Sequence, residues 1–152
     1  MIGEFIILAQ SIFWREHFNR QLYRRGCQVN FLFVDDEPEI LEWYVDLFRF
    51  MAPEAKLTMA ADGRAALESC RSTHFSLIVT DCNMPNMDGM EFIRHLRSED
   101  NLSRAAPVII ASGRDLPMDF IAKYDNVHEI QKPIHGQILL KLSSKLTKIP
   151  IF

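Results

Sequence analysis

The sequence predicts an α/β protein built on a doubly wound, five-stranded parallel sheet, and three observations carry that prediction. From Val29 onward, short apolar runs alternate with stretches of three- and four-residue periodicity, the pattern of repeated βα units. The apolar runs stop abruptly at polar residues: Asp35-Asp36 after 29–34, Thr80-Asp81 after 75–79, Ser112-Gly113 after 108–111, and Lys132-Pro133 after a shorter fourth run. Short buried strands end in loops of this kind. Finally, 152 residues with 48% hydrophobic and 24% charged content suit one core and leave no room for a second domain of ordinary size.

The elements follow in order. The first strand covers 29–34, and the helix after it carries Pro38 near its start, where a missing N–H costs nothing. Ile40/Leu41, Tyr44, Leu47/Phe48 and Met51 then define one buried face. Pro53 marks the end of that helix, the second strand reads Lys56-Leu57-Thr58-Met59-Ala60, and Asp62-Gly63 opens a short helix bearing Ala66, Leu67 and Cys70. The third strand leads through Asp81 to a helix after Gly89 with Phe92, Ile93 and Leu96. A fourth strand at 108–111 precedes a weaker helix over 115–124, interrupted near its start by Pro117. The fifth strand ends at Lys132, and a last helix over 134–148 places Ile134, Ile138, Leu142 and Leu146 four apart as a core-facing stripe. Right-handed crossovers and two faces to cover give the flavodoxin-like order 2-1-3-4-5. The first and third strands are then neighbours, and Asp35, Asp36 and Asp81 meet at the switch point between them.

Residues 1–28 lie outside this repeat. Phe5, Leu8 and Ile12, and then Trp14, Phe18 and Leu22, step by three or four, Arg15, Arg20, Arg24 and Arg25 fall between or after them, and Gly26 suits a helix stop. The expectation is an additional N-terminal helix, packed on its own domain or serving as a dimer or partner contact. The repeat itself is assigned to 29–148, and 149–152 form a short tail. The opening segment carries Glu4, lacks a basic start and meets Arg15 well before the roughly 20 apolar residues of a membrane span. With a net charge of -3, neither membrane nor nucleic acid is an expected direct partner. Cys27, Cys70 and Cys82 show no paired spacing and read as reduced thiols of a cytoplasmic protein.

Three carboxylates in one pocket repel one another and call for a cation. Magnesium, with its octahedral oxygen shell and retained waters, suits two direct carboxylates and one loop carbonyl. Asp36 and Asp81 are assigned as direct ligands, the carbonyl of Asn83 as the third and Asp35 as a water-mediated partner. Asp81 is then placed to act as a nucleophile toward phosphorus, with the Lys132 ammonium supporting the transferred group. Ser112 and the main-chain N–H groups of Asn83 and Gly113 are the expected donors to its remaining oxygens.

The set Val34-Asp35-Asp36-Glu37, Asp81 with Met84-Pro85-Asn86-Met87-Asp88-Gly89, Ser112-Gly113 and Lys132-Pro133 resembles the receiver domain of two-component response regulators over residues 29–147. The resemblance implies that Asp81 accepts a phosphoryl group in a magnesium-dependent step. The donor would be a histidine kinase, a histidine phosphotransfer protein or a small phosphodonor. It also implies that Ser112 reorients on phosphorylation, that Lys132-Pro133 is a candidate cis bond, and that signalling passes to a downstream protein. A homodimer through the N-terminal helix or through the face formed by the fourth helix, fifth strand and fifth helix is compatible with it. Two features depart from the pattern. Receivers usually carry Tyr or Phe a few residues before the lysine, where this chain reads Val127-His128-Glu129-Ile130-Gln131, and a small Gly-Ala pair is replaced by Asp125-Asn126. Two other readings stand beside the single-domain regulator. A magnesium-dependent aspartyl-phosphate phosphohydrolase is disfavoured because Asn83 stands where such enzymes need a proton-shuttling Asp; a phosphate-sink or constitutive binding receiver is kept open by the missing aromatic.

Overall fold

The computed structural model describes residues 28–149, and of Phe50 and Met51 within that range only the main chain. The expected N-terminal helix lies outside the described residues, as does Cys27. Among the described residues five strands alternate with five helices: β1 (Asn30–Val34), α1 (Pro38–Met51), β2 (Lys56–Ala60), α2 (Gly63–Ser72), β3 (Leu77–Asp81), α3 (Gly89–Ser98), β4 (Val108–Ser112), α4 (Met118–Lys123), β5 (Val127–Gln131) and α5 (Gly136–Thr147). The sheet is parallel throughout and ordered β2-β1-β3-β4-β5, as expected.

The alternation of side chains along each strand divides the core in two. Phe31 and Phe33 of β1, Leu77 and Val79 of β3, and Ile109 and Ala111 of β4 pack with Leu41, Tyr44 and Phe48 of α1 and with Leu139 and Leu140 of α5. Leu32, Val34, Ile78, Val108 and Ile110 face the other way, against α2, α3 and Phe120 of α4. Burial of this kind, at roughly 25 cal/mol per Å² of apolar surface, is the main driving force for the fold. The first layer is strongly aromatic. Phe33 stacks on Tyr44 at a 5.4 Å centroid distance and leans on Phe48 at 4.9 Å, contacts worth about 1 kcal/mol each beyond area.

Local sequence explains the ends of the elements. Pro38 occupies the first turn of α1, and Asp62 caps α2 through the Ala65 N–H at 2.9 Å. Asp88 caps α3 through the Glu91 N–H at 2.7 Å. Gly89, the first residue of α3, is required by crowding: a Cβ there would lie 2.2 Å from the Asp81 carbonyl oxygen. Helix α3 can approach the end of β3 this closely only without a side chain.

Three details differ from expectation. Strand β3 begins at Leu77, with Phe75 buried just before it. Helix α4 is only six residues long, because Pro117 sets its start and Asn126, with φ 60°, turns the chain into β5. In α5 the buried residues are Leu139, Leu140 and Ser143, while Ile138 is 53% exposed. Ile134, in the loop before the helix, and Leu142 and Leu146 within it pack half-buried against the core as expected, so of the four expected residues Ile138 alone leaves the stripe, its place taken by the buried Leu139.

Candidate functional site

Asp81 is the last residue of β3 and, in the alternation of that strand, continues the face of Leu77 and Val79. Asp35 and Asp36 follow the end of neighbouring β1. One oxygen from each of the three carboxylates lies within 4.8 Å of the others. Asp36 is exposed, whereas Asp35 is fully buried and Asp81 is 5% exposed. Asp35 Oδ1 accepts the Glu37 N–H at 3.0 Å, but its buried Oδ2 has no partner among the described residues. Burial raises the Asp35 carboxyl from 3.8 to about 6; the Glu37 amide opposes the rise and the charge of Asp81 adds to it. A buried, unpartnered carboxylate oxygen inside a cluster of three acids is the donor set a hard divalent cation takes.

Lys132, just beyond β5, places Nζ 2.7 Å from Asp81 Oδ1. Partial burial pulls its ammonium pKa down, but the hydrogen bond and charge of Asp81, with Asp35 and Glu37 behind it, outweigh that effect and hold it above its ordinary value. The Lys132-Pro133 bond is cis, and the Lys132 N–H donates to the Ser112 carbonyl at 2.8 Å. The β5 end is thereby tied to the β4 end.

Ser112 is buried, and its hydroxyl is turned into its own loop. It donates to the Arg114 carbonyl in a very short contact and accepts the Arg114 N–H at 3.3 Å. Gly113 is exposed, with open space where a Cβ would stand. Asn83 is exposed two residues past Asp81, and its main-chain groups take no part in the hydrogen bonds between described residues. Cys82 between them is buried, its thiol pKa pushed up by burial and then by Asp88 and Asp81. The loop behind is held by Gly89 N–H on the Cys82 carbonyl at 2.8 Å and by Asn86, at φ 64°, donating to Asp62 at 2.8 Å. All of the acids and the lysine expected at the site therefore converge, while Ser112 ends β4 and Gly113 and Asn83 stand in the loops that follow β4 and β3.

Two features were not foreseen. Tyr44 sits fully buried below the acids, and its hydroxyl has no partner among the described residues. Burial and then the charges of Asp35 and Asp81 push its phenol above its ordinary range. In addition, β5 grips the loop after β4. Glu129 Oε1 accepts the Leu116 N–H at 3.0 Å, and Gln131 Nε2 donates to Asp115 Oδ1 at 2.8 Å and to Glu129 Oε1 at 3.2 Å. Neither feature has a sequence signal: Tyr44 reads as one more core aromatic, and Glu129 and Gln131 as polar residues of an edge strand.

A five-stranded parallel sheet with three acids, a hydroxyl and a lysine at its carboxyl edge defines a class of signalling domain. The family model for the response regulator receiver domain matches residues 31–143, and the chain belongs to that family. It is thus a receiver domain of two-component signal transduction. The response regulator Rre1 of Synechocystis is 31% identical over 96 residues, covering 63% of this chain and 41% of that protein. The probable transcriptional regulatory protein TcrX of Mycobacterium tuberculosis is 32% identical over 97 residues, covering 64% of this chain and 39% of that protein. The chain thus spans about two fifths of both relatives. Among solved structures, the chemotaxis response regulator CheY4 of Vibrio cholerae matches with a TM-score of 0.68 at 24% identity, over 79% of this chain and 99% of that one. The receiver domain of the sensor histidine kinase PA1611 of Pseudomonas aeruginosa, solved with a magnesium ion coordinated in its active-site cleft, matches with a TM-score of 0.68 at 23% identity, over 80% and 99%. At these identities the structural likeness speaks for the fold.

Proposed function

We propose that Asp81 is the phosphoacceptor of this receiver and that the acid cluster holds magnesium during the transfer. The observation that carries the reading is the convergence of Asp35, Asp36 and Asp81 within 4.8 Å together with Lys132 Nζ at 2.7 Å from Asp81. Asp36 and Asp81 would ligate the ion directly with the Asn83 carbonyl, and Asp35 through water. When bound, the ion neutralises charge on the transferring group. A carboxylate oxygen of Asp81 attacks phosphorus, an O–P bond forms, and the P–N bond of a donor phosphohistidine breaks, leaving its electron pair on the imidazole. Lys132 supports a phosphoryl oxygen with its ammonium, and the Ser112 hydroxyl and the Asn83 and Gly113 amides donate to the others.

In this reading the receiver unit is 29–148, residues 1–28 are a candidate output or dimerisation element, and 149–152 are a tail. The face of α4, β5 and α5 is the other candidate dimer contact. The partners are a histidine kinase or histidine phosphotransfer protein and a downstream protein, in the cytoplasm. Among the described residues no helix is long and apolar enough to cross a membrane. The chain acts as a phosphoacceptor, with only slow loss of the phosphoryl group by itself. Mass spectrometry after incubation with acetyl phosphate and magnesium tests the assignment. The wild type should gain one phosphoryl group and Asp81→Asn none; equal gain by the variant, or no gain by the wild type, refutes it.

A further inference from the structure

The receiver reading leaves open how the chain senses a phosphoryl group without an aromatic side chain on β5, and the hydrogen bonds of β5 supply an answer. The loop between β4 and α4 is held at three successive residues. Arg114 is bound through both its main-chain groups by the Ser112 hydroxyl. Asp115 is bound by Gln131, and the Leu116 N–H by Glu129, with the Gln131 amide bridging the two carboxylates. Glu129 lies in the stretch where the family usually carries Tyr or Phe. Leu116 next to it is buried against the core that contains Phe120 of α4.

We propose that Glu129, oriented by Gln131, is a polar latch that holds the β4–α4 loop with Ser112 turned away from Asp81, and that release of this latch is the readout of phosphorylation. The chemistry sets the sequence of events. A phosphoryl group on Asp81 brings oxygens that need donors, and the Ser112 hydroxyl can donate to them only by leaving the Arg114 carbonyl. Arg114 then loses its anchor, and the two residues after it are drawn with it. The Leu116 N–H comes off Glu129, and the start of α4 is freed to move. The latch suits this use because its bonds are half-exposed: water replaces each of them at little cost, so one strong new interaction at Asp81 can overcome all three. Glu129 is thus a positioning residue for Ser112 and touches no reacting atom.

The proposal rests on Asp81 being the phosphoacceptor, and the test separates the two. Amide exchange at Leu116 is followed by NMR in the full chain, before and after acetyl phosphate with magnesium, while mass spectrometry records the phosphoryl gain. The expected result is a protected Leu116 amide in the resting protein that exchanges at least several-fold faster once the phosphoryl group is on. In Glu129→Ala the amide exchanges fast in both states, and phosphorylation runs several-fold faster because Ser112 is already released. Glu129→Gln keeps an acceptor oxygen and should restore slow exchange and the slower rate, which a merely structural role for the charge would not do. A normal phosphoryl gain with unchanged Leu116 exchange overturns the latch and leaves Asp81 standing. No gain in the wild type overturns both, and a Glu129→Ala protein with resting exchange and phosphorylation rate like wild type overturns the latch on its own.

Discussion

Along the β1/β3 wall of the cleft, the carboxylates of Asp35 and Asp81 are almost completely buried and sit beneath a lysine ammonium, with one oxygen, Asp35 Oδ2, unpartnered among the described residues. Along the β4/β5 wall, by contrast, the hydrogen bonds run from the partly exposed side chains of Glu129 and Gln131 to a loop, and all of them are satisfied. Burial makes electrostatic effects large and their loss expensive, whereas exposure makes them small and reversible. In the proposed reading, one wall performs chemistry on a charged group and the other registers that it has happened. Substitutions on the first wall should move stability by kilocalories, and those on the second should barely move it while changing the loop.

The largest effect is expected where main chain meets main chain beneath Asp81. In Gly89→Ala the new Cβ would lie 2.2 Å from the Asp81 carbonyl oxygen, so α3 or the end of β3 must shift. The expected cost is about 3 kcal/mol, at the upper end of overpacking penalties, read by chemical denaturation. Full stability in this variant would mean that the first wall is not rigid.

Asp35→Asn tests the charge on that wall and carries the opposite sign. The folded carboxyl titrates at about 6 against 3.8 unfolded, so the folded state binds the proton more tightly. The resulting destabilisation is absent below about pH 4, grows as pH rises to 6 and is complete above it. A shift of about 2 units corresponds to about 3 kcal/mol, and the weaker Asn acceptor for the Glu37 N–H takes back about 1. Asp35→Asn should therefore be about 2 kcal/mol more stable than wild type at pH 7 without magnesium and no more stable at pH 3.5. Thermal unfolding across that range checks it, and added magnesium should narrow the gap by stabilising the wild type more than the variant.

Tyr44→Phe sharpens the same comparison at about 1 kcal/mol. The hydroxyl is buried below Asp35 and Asp81 without a partner among the described residues, and side chains on a helix lean toward its N-terminus, which here is the cleft end. Removing an unsatisfied buried hydroxyl should stabilise the protein, because its desolvation goes unrewarded. Destabilisation of similar size would instead reveal a buried water joining it to Asp35 Oδ2.

The same contrast governs how much the sequence disclosed. The β1/β3 wall was legible because each element announces itself: apolar runs end at Asp35-Asp36 and Asp81, and the strand order follows from crossover handedness. Asp88-Gly89 could be read as the start of a helix, although the reason for the glycine, its contact with the Asp81 carbonyl, needs the packed structure. On the β4/β5 wall the strand ends at Ser112 and Lys132 were legible in the same way, but the grip of Glu129 and Gln131 on the loop was not. Glu129 reaches Leu116 across thirteen residues only because α4 is short and Asn126 turns the chain at φ 60°, and no periodicity encodes that. Ile138 was misplaced as well, since a strict four-residue step passes over Leu139, which takes the buried place.

Gln131→Ala is the smallest expected effect and the one most specific to the second wall. Its amide spans Asp115 and Glu129 in an exposed setting, so its loss should change stability by no more than about 0.5 kcal/mol. It removes the donor that holds two carboxylates side by side, and their repulsion should then push Asp115 and the loop away from β5. The Leu116 amide should exchange faster than in wild type but slower than in Glu129→Ala, because Glu129 keeps its acceptor oxygen while losing its orientation. That graded response, at nearly constant stability, separates a latch of cooperating weak bonds from a single essential contact. If Leu116 exchange in Gln131→Ala equals that of wild type, then Glu129 holds the loop alone and the bridging amide is incidental.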